Sequence, residues 1–404
     1  MIKILNKQNC CGCSACASVC PKNCISMDTD DRGFLYPIVN VDNCVDCGVC
    51  EHVCPYYNQN TPREPLKVYA AINLNEEVRL KSSSGGVFTM LAEATIKSGG
   101  VVFGACFNDD WVVVHDYTES IDGLEAFRGS KYVQSKIGDS YKKVQYFLKA
   151  NRNVLFSGTS CQIAGLKLFL RKDYESLICV DIVCHGVPSP KVWRDYLENV
   201  VKRQKGDAGK NTVLSSLNDT PVITGISFRD KSTGWKKYGF VIHGKSAIEA
   251  DENSVLASDN SENIIIRETK DSNYYMQIFL NDLDLRPSCH ACFTKGGKSH
   301  SDITLADFWG IWNCCPELDD DKGVSALLVN TTKGKSFINE LGLMLKELQY
   351  GDFLKGNPAY IESTQKTVYS NIFWILQRTN AKKEIRILIL IKKCIGKLCR
   401  FFKR

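Results

Sequence analysis

The sequence predicts an α+β protein in which a small cysteine-rich module precedes a larger α/β domain with a mixed sheet. Three observations carry this. One cysteine spacing occurs twice before residue 60, at Cys10, Cys13, Cys16 and Cys20 and again at Cys44, Cys47, Cys50 and Cys54, each copy followed by a proline, Pro21 or Pro55. Beyond residue 66, strand-like and helix-like apolar periods alternate, which is the pattern of layered α/β packing. Within that alternation Val154–Cys184 reads as strand, helix, strand, a βαβ unit whose two strands must run parallel.

In each copy of the repeat three cysteines crowd one tight loop, so they can grip three irons of a cubane. The fourth sulfur then comes from the other copy, as in two-cluster bacterial ferredoxins. This assigns one 4Fe-4S cluster to Cys10, Cys13, Cys16 and Cys54 and a second to Cys44, Cys47, Cys50 and Cys20. Every ligand of the first copy has a counterpart 34 positions on, an internal repeat that implies a pseudo-two-fold module. Zinc takes four tetrahedral ligands, usually as two separated pairs, and does not account for three cysteines so closely spaced. Cys11 and Cys24 fall outside the pattern and are expected to be bystanders. Between the copies, Asp30-Asp31-Arg32-Gly33 lies inside the apolar stretch from Met27 to Val41, which reads as a β-hairpin. Asn58–Pro65, with Thr61, Pro62 and Pro65, reads as a linker. The expected domains are therefore 1–60, 66–375 and a basic tail, 381–404.

A chain of 404 residues with 44% hydrophobic content is of the globular class and can bury a sizeable core. Twenty cysteines in so long a chain, with no apolar leader before Cys10, point to a reducing cytoplasm rather than to secretion. The net charge of +6 is local: Lys382–Arg404 holds nine basic residues against Glu384, so residues 1–381 carry −2. A near-neutral body excludes a nucleic-acid-binding face.

The remaining elements follow in order. Val68–Ile72 reads as a strand, Val87–Lys97 as a helix, Val101–Phe107 and Trp111–Tyr117 as extended, and Tyr141–Leu148 as a helix. The βαβ unit comprises a strand ending at Ser157-Gly158, a helix from Gln162 to Arg171 and a strand over Leu177–Val183. Ile223–Phe228 and Tyr238–His243 add an antiparallel hairpin, so that a mixed sheet follows. Lys205–Pro221 and Ala247–Asn263, rich in polar residues and glycine, read as loops. Ser325–Val329 is a strand and Lys333–Leu348 a closing helix. After that helix the periodicity fades until the tail.

Four further cysteines stand where chemistry is expected. Cys161 lies at a strand-to-helix turn, Cys184 ends the next strand, and Cys289 with Cys292 forms a C-x-x-C. On spacing alone, buried core thiols, a zinc site and a redox dithiol all remain open. Ser82-Ser83-Ser84-Gly85-Gly86 precedes an apolar helix, where backbone N–H groups and hydroxyls can hold a phosphate or simply cap the helix.

Several stretches together resemble the coenzyme F420 hydrogenase/dehydrogenase β-subunit family: Ser83–Gly86, Gly129–Ser135, Gly158–Leu166, Cys184–Pro190, Phe228–Lys231 and Ser301–Gly310. The resemblance covers about residues 1–330. It implies an α/β flavin-binding domain that carries FAD, and a third 4Fe-4S cluster on Cys161, Cys184, Cys289 and Cys292. It implies flavin contacts from Ser83, Ser84, Gly85, Gly86, Lys131, Tyr132, Gln134, Thr159 and Gln162. Ser160 departs from the family pattern, which has proline before the cysteine. His185, next to Cys184, is the expected proton-transfer residue, because electron traffic at a flavin must be balanced by protons. Asp302, Asp307 and Trp309 are candidates for the substrate side.

The resulting expectation is an iron–sulfur flavoprotein oxidoreductase that moves electrons between a hydride-carrying small molecule and a ferredoxin-like carrier or partner redox subunit. The alternative is a non-catalytic electron-transfer subunit that wires a partner enzyme to ferredoxin. In the tail, Ile385, Leu388, Ile391, Ile395, Leu398 and Phe402 recur at helical spacing among basic residues. Such a helix suits either an anionic membrane surface at the inner face of the membrane or a protein surface. It is too short in apolar residues to span a bilayer.

Overall fold

The computed structural model describes residues 1–207, 222–245, 263–339, 341, 344–379 and 381–401. The chain divides into two compact units, one of residues 1–187 with 285–365 and one of 188–284 with 366–404.

The first unit opens with the hairpin expected between the cysteine loops, β1 (Ile25–Thr29) and β2 (Leu35–Val39), paired antiparallel. Short helices, Ala15–Val19 and Val49–His52, follow the two loops. The rest of the unit is built on strands β3 (Lys67–Ile72), β4 (Val101–Phe107), β5 (Val113–Thr118), β6 (Val154–Thr159) and β7 (Leu177–Ile182). Strands β8 (Val222–Asp230), β9 (Gly239–Lys245) and β10 (Asn263–Thr269) belong to the second unit, and β11 (Ile303–Asp307), β12 (Ser325–Val329) and β13 (Met344–Leu348) return to the first.

The large sheet runs β13-β3-β12-β11-β7-β6-β4-β5. Four adjacent strands, β11, β7, β6 and β4, pair parallel, and the strands on either side of them antiparallel. The parallel strands are nearly all apolar because both faces are covered. One face packs Phe103, Phe156 and Cys179 with Tyr141, Ile163 and Leu166. The other packs Val102, Leu155 and Val180 with Val87 and Leu91. The βαβ unit is as the sequence predicts, with the Ser160–Leu170 helix between β6 and β7. Its consequence for function is geometric: Cys161 and Cys184 stand just past the carboxyl ends of adjacent parallel strands, where open α/β sheets bind ligands.

The second unit pairs β8, β9 and β10 antiparallel around Trp193, Tyr196, Phe228, Phe240 and Tyr275. The tail is a helix, Lys382–Phe401, that buries Ile385, Leu388 and Ile389 within this unit while Ile387, Leu390, Ile391 and Ile395 are exposed. No described helix is long and apolar enough to cross a membrane.

Three expectations need correction. The closing helix ends at Asn339, and Met344–Leu348 pairs with β3 as an edge strand instead. Backbone pairing on an open strand edge outweighs the helical propensity of leucine and lysine there. The loop expected from Lys205 is helical through Asp207; residues 208–221 and most of Ala247–Asn263 lie outside the described residues. The patternless stretch after Leu348 holds two helices, Tyr350–Gly356 and Val368–Arg378.

Candidate metal centres

The two cysteine loops share one backbone design. Gly12 and its counterpart Asp46 are left-handed (φ 71° and 49°), as are Ser14 and its counterpart Gly48 (φ 61° and 72°), and a short helix follows each. Left-handed residues on both sides of the second cysteine curl the chain so that three thiols converge, a strained arrangement for Ser14 and Asp46. Strain of this kind persists where the surroundings over-determine it, which suits a loop wrapped on a cluster.

Thiols from the two copies come near one another. Cys20, Cys44, Cys47 and Cys50 line one solvent-open pocket. Cys16 feels the charges of Cys10 and Cys54, and burial pushes its thiol well above the ordinary range, those neighbours adding to the effect. Burial likewise raises Cys54, with Cys10 and Cys50 nearby. So dense a group of thiols cannot ionise together without a cation, which the irons of a bound cluster would supply. The donor set, the curled loops and the cavity therefore fit 4Fe-4S clusters.

Cys161, Cys184, Cys289 and Cys292 are also brought together. Burial pushes the Cys184 thiol up to about 12, with Cys161 and Cys292 contributing, and raises Cys289 through Cys184, Cys292 and Cys161 as well. Backbone and hydroxyl donors surround these sulfurs. The Val187 N–H donates to Cys289 Sγ at 3.4 Å, Thr159 Oγ1 lies 3.2 Å from Cys161 Sγ, and Thr294 Oγ1 lies 3.4 Å from Cys292 Sγ. Ser160, in place of the family's proline, starts the helix and bonds Thr294 Oγ1 at 2.9 Å.

Cys11 and Cys24, outside the spacing pattern, lie among the other thiols. Cys24 Sγ lies 3.4 Å from Cys20 Sγ in the cavity of the second set. The Cys11 thiol lies near both Cys13 and Cys161, and Cys13 and burial hold it well above the ordinary thiol range. The close approach is set by Gly165 of the Ser160–Leu170 helix, where a Cβ would stand 2.9 Å from Cys13 Sγ. Sequence spacing has no signal for this link, since 150 residues separate Cys11 from Cys161.

The residue-level pattern agrees with known families. A family model for the C terminus of the coenzyme F420 hydrogenase/dehydrogenase β subunit matches residues 151–346, and one for the 4Fe-4S dicluster domain matches residues 9–58. Residues 151–346 are thus similar to that β-subunit family, and residues 9–58 to a 4Fe-4S dicluster domain. Among solved structures, the chain is similar to a chain of the F420-reducing NiFe hydrogenase complex from Methanosarcina barkeri, in its xenon-derivatized form. The identity is 13% and the TM-score 0.41, over 74% of this chain and 91% of that one. No curated protein matches.

The residues that the β-subunit family implies for flavin fall into two groups. Ser83, Ser84, Gly85, Gly86 and Lys131 gather at the start of the Val87–Lys97 helix, which Gly86 begins in a left-handed conformation with no side-chain cap. Ser83 Oγ accepts from the Ser130 N–H at 2.7 Å, and Arg128 Nε donates to Thr89 Oγ1 in the helix's first turn at 3.3 Å. Lys131 Nζ donates to the Ala126 and Arg128 carbonyls, and burial pulls its ammonium down to about 7. A helix start with adjacent cations is chemistry that suits a diphosphate. Ser84 Oγ, however, donates to the Val324 carbonyl and the Gly85 N–H to Ser325 Oγ at 3.0 Å, so these two hold the sheet.

Gln134, Thr159 and Gln162 belong instead with the thiols. Thr159 and Gln162 form a reciprocal cap at the start of the Cys161 helix, and Gln162 Nε2 donates to Ser135 Oγ, which bonds His115 Nδ1 at 2.9 Å. His115 is buried against Phe156, and burial pulls its imidazole down to about 4. His185 is exposed beside Cys184, its carbonyl accepting from Thr364 Oγ1. Tyr132 is half-buried. Asp302 is buried and accepts from the Cys179 N–H and Thr331 Oγ1, a structural role in the sheet.

Proposed function

We propose that the chain is an iron–sulfur flavoprotein oxidoreductase that passes electrons between a two-electron hydride carrier, deazaflavin-like or another reducible substrate, and ferredoxin-type one-electron carriers. What supports this reading is that twelve cysteines of the proposed ligand sets fall within one compact unit, Cys47 among them exposed to solvent, and that Cys11 lies near both Cys13 and Cys161. In this reading the clusters are held by Cys10, Cys13, Cys16 and Cys54, by Cys44, Cys47, Cys50 and Cys20, and by Cys161, Cys184, Cys289 and Cys292. FAD, when bound, supplies the exchange between hydride pairs and single electrons. Ser83, Gly86, Lys131 and the start of the Val87–Lys97 helix would hold its diphosphate, with Tyr132 as a stacking ring. Thr159 orients the Cys161 sulfur, and His185 is positioned to deliver protons from solvent. The functional modules are 1–60, 66–375 and 381–404.

One observation favours a second reading, a wire without a flavin: Ser84, Gly85, Thr159 and Gln162 spend their polar groups on bonds within the chain. Anaerobic purification followed by flavin, iron and sulfide analysis separates the two. Stoichiometric FAD supports the flavoprotein, and three clusters without flavin leaves the wire. We also take the exposed Ile387, Leu390, Ile391 and Ile395 as a surface for peripheral membrane contact. Equal sedimentation of the full chain and a chain ending at Asn380 with anionic vesicles at low salt would remove that assignment.

A further inference from the structure

The two halves of the dicluster domain repeat in backbone but not in electrostatics. The first loop is buried in the unit, whereas Cys47 of the second is exposed. Reduction adds negative charge to a cluster, and a buried cluster receives less help from water, so burial alone makes the first harder to reduce than its twin. Something must offset that penalty if electrons are to pass between them.

Arg286 stands at that place. Its side chain is completely buried. Nε donates to the Cys10 carbonyl at 2.8 Å, Nη2 to the Leu35 carbonyl at 2.8 Å and to Cys10 Sγ at 3.6 Å, and Nη1 to Gln134 Oε1 at 2.9 Å. The guanidinium carbon lies 4.4 Å from the Tyr36 ring centre and 5.4 Å from that of Phe34. None of these partners is a carboxylate, so the permanent charge of Arg286 has the sulfurs as its counter-ions. The repeat makes room for it. At Gly12, a Cβ would stand 2.9 Å from Arg286 Nη1 and 3.0 Å from Gln134 Nε2. The counterpart position in the second loop is Asp46, whose carboxylate pairs with the Met1 ammonium at 2.7 Å.

We propose that Arg286 is the buried counter-charge of the first cluster and raises its reduction potential, offsetting burial so that it can exchange electrons with its exposed twin. This rests on the ligand sets proposed above. In a dry interior a fixed charge acts strongly, whereas Asp46 on the exposed loop is screened by solvent.

The experiment is an EPR-monitored redox titration of the full chain, purified anaerobically, with iron counted in parallel. Arg286→Gln should make the first centre at least tenfold harder to reduce, about 59 mV for one electron, move the centre at Cys161 and Cys289 less, since the guanidinium also reaches those sulfurs, and leave the second in place. Gln134→Glu, which keeps the acceptor but neutralises the guanidinium, should lower the same centre. Arg286→Lys should restore most of the loss. If Arg286→Gln does not load iron, Gln134→Glu decides. Full iron loading with no centre moved, or Lys shifting the centre as far as Gln, overturns the inference while leaving the cluster count intact. A short iron count in the unaltered chain instead strikes the ligand assignment.

Discussion

The dicluster loops and the third thiol set bring cysteines together by opposite routes. The loops draw eight thiols from one 45-residue stretch and curl the backbone around them with left-handed residues at Gly12, Ser14, Asp46 and Gly48. The third set draws four thiols from three places in the sequence, and a rigid parallel sheet holds two of them at the ends of β6 and β7. A site built from loops has little apolar packing of its own and depends on its metal to stay folded, whereas a site built on strands exists before the metal arrives.

Four perturbations probe that contrast, in descending order of expected effect. Changing both Cys289 and Cys292 to Ser should remove about four of about twelve irons per chain and leave both dicluster centres loaded, because the loops take no ligand from that set. Loss of all iron would mean that the sites assemble as one. Stripping iron with a chelator should raise amide exchange across residues 9–58 while β4, β6 and β7 keep their protection, as read by hydrogen-exchange mass spectrometry. Equal deprotection of the sheet would break the distinction. Gly165→Ala places a Cβ against Cys13, an overpacking cost of about 1–3 kcal/mol. It should perturb the first centre and not the second, which an EPR comparison reads directly. Thr159→Val removes the hydroxyl beside Cys161 Sγ and one half of the helix cap, at a cost of about 1 kcal/mol. It should lower the potential of the third centre slightly, and an unchanged potential would show that the hydroxyl serves the cap alone.

The same contrast explains what the sequence disclosed. The repeat, the hairpin between its copies and the βαβ unit depend on neighbours close in sequence, and each is legible in its spacing and period. The third set is legible only through family resemblance, since the sheet, not the local chain, brings Cys161 and Cys184 to Cys289 and Cys292. Strand β13 is hidden because leucine and lysine read as helix until the edge of β3 is known to need a partner. Cys11 looked idle for the same reason, its neighbour Cys161 lying in another element. Arg286 and His115 gave no signal, because an isolated arginine or histidine becomes informative only when its burial and its neighbours are known. Gln134, Thr159 and Gln162 sit in motifs that the family resemblance ties to flavin, yet their hydrogen bonds run to Arg286, Cys161 and each other.

The central claim is that this chain carries three four-iron centres, and the most direct measurement is iron and acid-labile sulfide per chain after anaerobic purification. The account predicts about twelve of each, from three cubanes with four cysteine ligands apiece. A value of about eight, unchanged when Cys289 and Cys292 become Ser, would contradict it and leave the third thiol set without a cluster.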